Sequence, residues 1–119
     1  MEIMRRIISA IMLVLLLAGT AFALEDSEYR KMKESNGKFA EADRLLNEAY
    51  IKLRQAVPAT KTREVRAEQR EWLDSGRDIA ASQYMEEGYP KIKAYTMATN
   101  DRTKELTRLY KLYMMRNKK

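Results

Sequence analysis

Apolar side chains recur at steps of three and four residues along most of the chain, a spacing that predicts helices with one buried face. The first such series consists of Phe39, Ala42, Leu46, Ala49, Tyr50, Leu53 and Val57. It ends at Pro58, because a proline disfavours helical geometry in the residue before it. These positions predict a first long helix that ends near Val57.

A second series begins near Thr60 or Thr62 and ends at Gly88-Tyr89-Pro90, where glycine and proline together stop a helix. Its inner side consists of Val65, Gln69, Trp72, Leu73, Gly76, Ala80 and Tyr84. Trp72 is the only tryptophan in the chain. Its large apolar ring on the inner side predicts a core anchor.

The third series follows Pro90 directly and predicts a helix that runs unbroken to about Met115. A break near Thr99-Asn100 is the alternative. The positions are Ile92, Tyr95, Thr99, Arg102, Leu106, Leu109 and Tyr113. Among them Arg102 is unexpected, because a buried charge needs a partner to offset its desolvation.

Three helices with one apolar face each are most simply satisfied by an antiparallel bundle. The predicted fold class is therefore all-α, a small bundle of about three helices. The composition agrees, since only two Pro and four Gly interrupt a chain rich in good helix formers. Asn36-Gly37 weakens the helix upstream of the first series, so residues 24–35 form either a separate short helix or a loosely ordered arm.

The first 23 residues are typical of a secretory signal peptide. Arg5 and Arg6 precede an almost uninterrupted apolar run over residues 7–19, and Ala21-Phe22-Ala23 provides the small residues that signal peptidase prefers. We expect cleavage after Ala23 and a periplasmic or secreted domain of residues 24–119. The run is shorter than the roughly 18 residues that span a bilayer, so no stable membrane anchor is expected.

The chain contains no Cys and no His, which removes thiol chemistry and the commonest proton shuttle and metal ligand. It also lacks a Gly-rich phosphate loop and a Gly-x-Ser-x-Gly elbow. We therefore expect no catalytic residues, no cofactor and no metal site, and hence no enzyme. Nucleic acid is not an expected partner either, because no recognisable binding motif is present.

Several polar side chains fall within the apolar series. Asp43, Asn47 and Tyr50 follow one another at i, i+4 and i+7, so they lie on one side of the first helix. We hypothesise that Arg102 pairs with Asp43 or hydrogen-bonds Asn47, which would fix the register of the bundle. Such a cluster is either a satisfied core network or a ligand-recognition site.

Three motifs occur in order: Asp43-Arg44-Leu45-Leu46-Asn47-Glu48-Ala49-Tyr50, then Gln69-Arg70-Glu71-Trp72, then Arg102-Thr103-Lys104-Glu105-Leu106. Their order and spacing resemble those of the LprI-type lysozyme-inhibitor domain, over about residues 32–109. The resemblance implies a small helical bundle, export, and a protein partner that is a lysozyme. The motif residues that it singles out, with architectural roles expected, are Asp43, Leu46, Asn47, Tyr50, Gln69, Trp72, Arg77, Arg102 and Leu106.

Two departures from the family pattern bear on the fold. Members often have cysteines where this chain reads Glu34-Ser35-Asn36 and Ile79-Ala80-Ala81, so the stapling disulfide is missing. Members also commonly place Arg-Asp four residues after the tryptophan, whereas Gly76 moves Arg77-Asp78 one position later. Either the second helix accommodates an extra residue as a local bulge, or the alignment there is loose.

Charge separates the candidate functions. Removing the leader removes Arg5, Arg6 and Glu2, which lowers the formal charge from +6 to +5. Because animal-type lysozymes are also basic, an inhibitor would need a local acidic patch, at residues 25–28 or at Glu86-Glu87.

Two other functions remain open. The basic third helix could recognise anionic envelope polymers such as lipopolysaccharide or teichoic acid, through Lys91, Lys93, Lys104, Arg108 and Lys111. Alternatively, a tyrosine-rich patch could join the domain to a larger envelope assembly, through Tyr84, Tyr89, Tyr95, Tyr110 and Tyr113. The same tyrosines could equally cover the ends of a thin core. The pattern does not fix an oligomeric state.

Overall fold

The structure is a computed structural model that describes residues 24–117. The signal peptide predicted from the sequence, residues 1–23, and the cleavage site predicted after Ala23 lie outside the described residues. The described part of the chain is helical and contains no strand. Its helices are α1 (Asp26–Ser35), α2 (Gly37–Ala56), α3 (Ala59–Glu71), α4 (Arg77–Glu86) and α5 (Lys91–Asn117), and a π-helical turn (Trp72–Gly76) joins α3 to α4.

The all-α class is confirmed, but the expectation of about three helices is wrong. Because the π-helical turn joins α3 and α4 without a break, the described residues form four continuous helices, and the additional one is α1. Asn36 separates α1 from α2: its backbone is extended, its N–H donates to the Met32 carbonyl, and its side chain accepts from the Phe39 N–H at 3.0 Å. One residue thus caps both helices.

Helices α2 and α5 have the most extensive contact among the described elements. Phe39 near the start of α2 packs with Tyr95 near the start of α5, and Leu53 near the end of α2 packs with Leu106 further along α5. These two helices therefore run parallel. Helices α3 and α4, which the π-helical turn joins end to end, are called the second rod. In chain order the second rod lies between α2 and α5, and the short turn at residues 87–90 makes α4 antiparallel to α5.

Two clusters of buried side chains hold the helices together. The lower core lies where α1, α4 and the starts of α2 and α5 meet, and consists of Leu24, Met32, Phe39, Ala81, Ala94, Tyr95 and Ala98. The upper core lies between the later parts of α2 and α5, and consists of Leu46, Ala49, Leu53, Val57 and Leu106. Val65 and Trp72 of the second rod pack against the upper core.

Helix α5 runs without a break through Thr99 and Asn100, which confirms the predicted unbroken helix and not the alternative with a break there. Its threonines satisfy their hydroxyl groups on the same helix: Thr99 donates to the Tyr95 carbonyl at 2.7 Å, and Thr103 donates to the Thr99 carbonyl at 3.1 Å. These bonds allow Thr99, which is only 2% exposed, to lie in the core without an unsatisfied polar group. The turn before α5 uses Gly88, whose φ of 104° favours glycine.

Candidate functional site

The π-helical turn is where the second rod accommodates its extra residue. The N–H of Arg77 donates to the carbonyl of Trp72, five residues earlier. One residue advances an α-helix by about 100°, so an insertion without this turn would rotate Arg77 and Asp78 away from the helices they contact. Of the two alternatives that the family pattern left open, the structure shows the local bulge.

Trp72, which begins the turn, lies too close to Gly76 for a side chain at residue 76 to fit without a shift. A Cβ at residue 76 would lie 2.9 Å from Trp72 Cδ1, closer than such atoms pack. The indole is half-buried against the upper core, and the Arg102 Cζ lies 5.9 Å from its ring centroid. Trp72 therefore does pack on the core as expected, with its outer edge exposed and a guanidinium near its ring.

Arg102 finds a partner on α3. Its Nε donates to Gln69 Oε1 at 3.0 Å, and Gln69 is only 5% exposed. The sequence pattern had suggested Asp43 or Asn47 as the partner, but the hydrogen bond to Gln69 links α5 to α3 instead of α2. Arg102, Gln69 and Trp72 thus form one contact set that fixes the second rod against α5.

Asp43 is buried, and its carboxylate contacts α1. The Tyr29 hydroxyl donates to Asp43 Oδ1, and Lys33 Nζ lies 3.2 Å from Oδ2. Burial raises the pKa of the Tyr29 hydroxyl well above its usual range, and the hydrogen bond to Asp43 raises this pKa further. Tyr29 therefore stays a neutral donor, and the pair holds α1 against α2.

Asp78 forms a second buried contact of the same kind. Its Oδ1 accepts from the Tyr95 hydroxyl at 2.5 Å and from the backbone N of Leu24 at 3.1 Å. Burial is the main reason why the pKa of Tyr95 is raised well above its usual range, and the hydrogen bond to Asp78 adds to it. The neighbouring Arg77 places its Cζ 5.0 Å from the Tyr29 ring centroid, and its Nε is buried without a hydrogen-bond partner among the described residues.

The sequence pattern did not point to Tyr29, Lys33, Asp78 or Leu24 as members of these clusters. Tyr29 and Lys33 are four residues apart, a spacing that puts both on one face of a short helix. That spacing was the available signal. It identifies a polar face, but not the carboxylate that the face contacts.

The remaining motif residues divide between core and surface. Leu46 and Leu106 are 2% and 1% exposed and pack together in the upper core. Tyr50 is half-buried against the same core, with the Arg54 Cζ 5.7 Å from its ring centroid. Asn47 is exposed, so it lies outside the inward-facing set in which the pattern placed it.

Both acidic patches considered from the sequence lie at the same end of the bundle. Glu28 Oε2 is 2.7 Å from Lys91 Nζ, which places the start of α1 beside the start of α5 and the turn that precedes it. We define the acidic end as the four exposed carboxylates Glu25, Asp26, Glu86 and Glu87. Exposed Lys91 and Lys93 lie at the same end, so the four carboxylates outnumber these cations by two and give the end a local excess of negative charge.

An aromatic side chain lies within this acidic end. Tyr89 follows Glu87 in the turn and is 36% exposed. Its ring packs edge-on against Tyr84, with centroids 5.9 Å apart, and Lys93 Nζ lies 5.4 Å from its centroid. The Tyr84 hydroxyl donates to Asp101, and this hydrogen bond raises the pKa of Tyr84 to about 12. Tyr89 thus combines a supported ring with solvent access.

Eight exposed cations lie on α3 and the second half of α5: Lys61, Arg63, Arg66, Arg70, Lys104, Arg108, Lys111 and Arg116. Exposed cations also lie on α1 and at the start of α2, namely Arg30, Lys31, Lys33 and Lys38. Lys91 and Lys93, which the sequence grouped with the cations of α5, lie at the acidic end. They are separated from Lys104 by about 20 Å along the helix, at 1.5 Å per residue. The five cations therefore do not form one continuous face.

A shallow groove of about 290 Å³ follows the exposed seam between α2 and α5. It is lined by Leu45, Glu48, Ala49, Lys52, Thr103, Thr107, Tyr110 and Lys111. The lining has charges of both signs and no cluster of groups suited to acid–base chemistry. Within residues 24–117, no three Asp or Glu side chains are grouped closely enough to hold a metal ion. No helix in the same range has the length and apolarity to cross a membrane.

The fold and these contacts define a small all-α domain whose internal polar groups join helices to one another. Comparison with protein families matches residues 25–112 to the lysozyme inhibitor LprI family. The chain belongs to this family. Comparisons with curated proteins and with solved structures gave no match.

Proposed function

We propose that this protein is exported and binds a lysozyme, whose activity it blocks by occluding the enzyme. Membership of the lysozyme inhibitor LprI family over residues 25–112 is the observation that carries this proposal. The polar clusters around Asp43, Asp78 and Arg102 connect helices, so we assign them structural roles and assign the protein a binding function without catalysis.

The acidic end is the surface that we propose for the contact. Animal-type lysozymes are basic, and like charge would oppose association with most of this chain. At one end, four exposed carboxylates outnumber the two exposed lysines Lys91 and Lys93, which reverses the sign locally. Tyr89 beside them adds a supported aromatic ring, the kind of side chain that is enriched where proteins meet.

A double substitution, Glu86→Lys with Glu87→Lys, tests this surface. Both side chains are exposed at the end of α4, where cations interact favourably with the helix dipole, so the variant should fold at least as stably as the parent. We expect the concentration that halves lysis of a peptidoglycan suspension by animal-type lysozyme to rise about tenfold at about 0.1 M salt.

The matched control is Glu64→Lys with Glu71→Lys. These exposed glutamates of α3 lie away from the acidic end, and their replacement changes the net charge by the same amount. Inhibition by the control should stay within about twofold of the parent, since charges beyond a Debye length of about 10 Å are largely screened at 0.1 M salt. Equal loss in both variants would show that net charge matters and that the acidic end does not.

Exposed cations on α3 and the second half of α5 support a second candidate, recognition of anionic envelope polymers. Lys104, Arg108 and Lys111 are exposed on α5, and Arg63 and Arg66 are exposed on α3. Binding through them should weaken steeply as ionic strength rises, whereas a packed protein interface should weaken less. Co-sedimentation with polymer at low and high salt distinguishes this function from lysozyme binding.

A further inference from the structure

Leu24 is the first described residue, and it is anchored in the fold. Its side chain is 9% exposed and belongs to the lower core, together with Met32, Phe39 and Tyr95. Its backbone nitrogen lies 3.1 Å from Asp78 Oδ1. Sequence position 24 thus contributes both an apolar anchor and a hydrogen-bond donor.

The same residue follows the expected cleavage site. The small residues at Ala21 and Ala23 predict hydrolysis of the Ala23–Leu24 peptide bond. That hydrolysis consumes one water and leaves a carboxylate on Ala23 and an α-amino group on Leu24, which is mostly protonated at pH 7. The nitrogen that the structure places against Asp78 would then be an ammonium group rather than an amide.

We infer that Asp78 is the receptor for the mature N-terminus: cleavage after Ala23 creates an ammonium group on Leu24 that pairs with the Asp78 carboxylate and locks α1 onto the lower core. The inference goes beyond lysozyme binding and rests on the proposed removal of the leader. It assigns Asp78 a role in maturation that the family motif does not explain.

The surroundings of Asp78 favour such a pair. The carboxylate is half-buried, and its Oδ1 already accepts from the buried Tyr95 hydroxyl at 2.5 Å. An ammonium donor makes a charge-assisted hydrogen bond that is about twice as strong as that of a neutral amide.

The test uses the full-length chain, exported by a bacterial host, purified, and checked for its N-terminus by intact mass. The comparison protein has Gly-Ser inserted between Ala23 and Leu24, which moves the new ammonium group by about 7 Å, at 3.3–3.6 Å per residue. The insertion keeps the net charge unchanged. Both proteins are prepared with Asp78 and with Asp78→Asn, which retains an oxygen that can accept from Tyr95.

We expect the protein that begins at Leu24 to melt about 5 °C above the inserted protein when Asp78 is present. With Asp78→Asn this difference should fall below about 2 °C. The α-amino group should also react with an acylating reagent about tenfold more slowly when Asp78 is present than with Asp78→Asn, because a buried, paired ammonium is rarely free. This rate comparison needs only the protein that begins at Leu24.

Two results would overturn the inference, and they are distinguishable. A purified chain that begins elsewhere than at Leu24 removes the premise that leader cleavage creates this group. A chain that begins at Leu24 but whose α-amino group reacts equally fast with Asp78 and with Asp78→Asn shows that the two groups do not pair. If Asp78→Asn does not fold, the inserted protein is the reference for the reaction rate, and an equal rate in it overturns the pairing.

Discussion

Replacing Gly76 with alanine tests whether the π-helical turn depends on the missing side chain at that position. Gly76 has helical angles, φ −61° and ψ −37°, so backbone strain plays no part. By helix propensity alone, alanine would be favoured by about 1 kcal/mol. The added methyl group, however, would lie 2.9 Å from Trp72 Cδ1, so the indole must move.

The energetic cost of moving the indole determines whether Gly76→Ala raises or lowers the free energy of unfolding. Inserting a methyl group into a packed site costs roughly 1–3 kcal/mol, and moving the indole would disturb its packing on the upper core and its contact with the Arg102 guanidinium. After subtracting the propensity gain, we expect Gly76→Ala to lower the free energy of unfolding by about 1 kcal/mol. For a domain of this size this corresponds to a melting temperature lower by about 4–8 °C.

Gly37→Ala is the matched control. Gly37 begins α2, and a Cβ added there meets no atom within 4 Å. The same chemical change should raise the free energy of unfolding by about 0.5–1 kcal/mol, since alanine has fewer unfolded conformations to lose. Urea unfolding followed by circular dichroism and by the fluorescence of Trp72 measures both. If Gly76→Ala stabilises the domain as much as Gly37→Ala does, then contact with Trp72 does not restrict residue 76.

Deleting Gly76 should be tolerated, because α3 and α4 would continue as one regular helix, whereas deleting the exposed Ala67 should rotate everything beyond it by about 100° and unfold the domain; thermal melts compare the two. Tyr29→Phe should lower the free energy of unfolding at pH 7 by about 1–2 kcal/mol, because a buried carboxylate loses a donor, and urea unfolding measures this. The pKa values of Tyr29, Tyr95 and Tyr84 are raised in the folded state, that of Tyr84 to about 12. Their contribution to stability is therefore complete below about pH 10 and is lost as the pH rises through the folded pKa values. The free energy of unfolding measured with urea should therefore be lower at pH 11 than at pH 8. In Tyr29→Phe this decrease should be smaller than in the parent.

The long helices were predictable from the sequence because their apolar spacing is regular. The series that contains Leu46 and Leu53 predicted α2, and the series from Ile92 to Tyr113 predicted an unbroken α5. Helix α1 was not predictable in this way. It has few buried apolar side chains, and its order depends on contacts of Tyr29 and Lys33 with a carboxylate on another helix.

The sequence also did not predict which residues are the hydrogen-bond partners of the buried polar groups. The pattern showed correctly that Arg102 faces inward, but Gln69 and Asp43 are both on neighbouring helices, and the choice between them depends on helix rotation and crossing angle. Asn47 illustrates the same limit. Asn47 directly follows the buried Leu46 but is exposed. The buried face of α2 is therefore narrower than the placement of Asp43, Asn47 and Tyr50 on one side of the helix suggested.

The contacts of α1 occupy the region where the resemblance implies a disulfide in other members. The chain has no Cys at all. Here α1 is held by the Tyr29–Asp43 hydrogen bond, the Lys33–Asp43 and Glu28–Lys91 ion pairs, and the packing of Met32 in the lower core. Met32 is the only buried residue within α1, so α1 should be the first helix to open as the domain unfolds.

The central claim is that the protein acts on a lysozyme and not on the wall polymer that the enzyme digests. The most direct measurement is hydrolysis of a small, soluble chromogenic oligosaccharide by animal-type and goose-type lysozymes, with increasing amounts of the folded, exported protein. We expect a dose-dependent loss of hydrolysis by at least one of these enzymes, complete near one equivalent when the enzyme concentration exceeds the dissociation constant. Unchanged hydrolysis of the small substrate, with or without protection of a peptidoglycan suspension, would contradict the central claim.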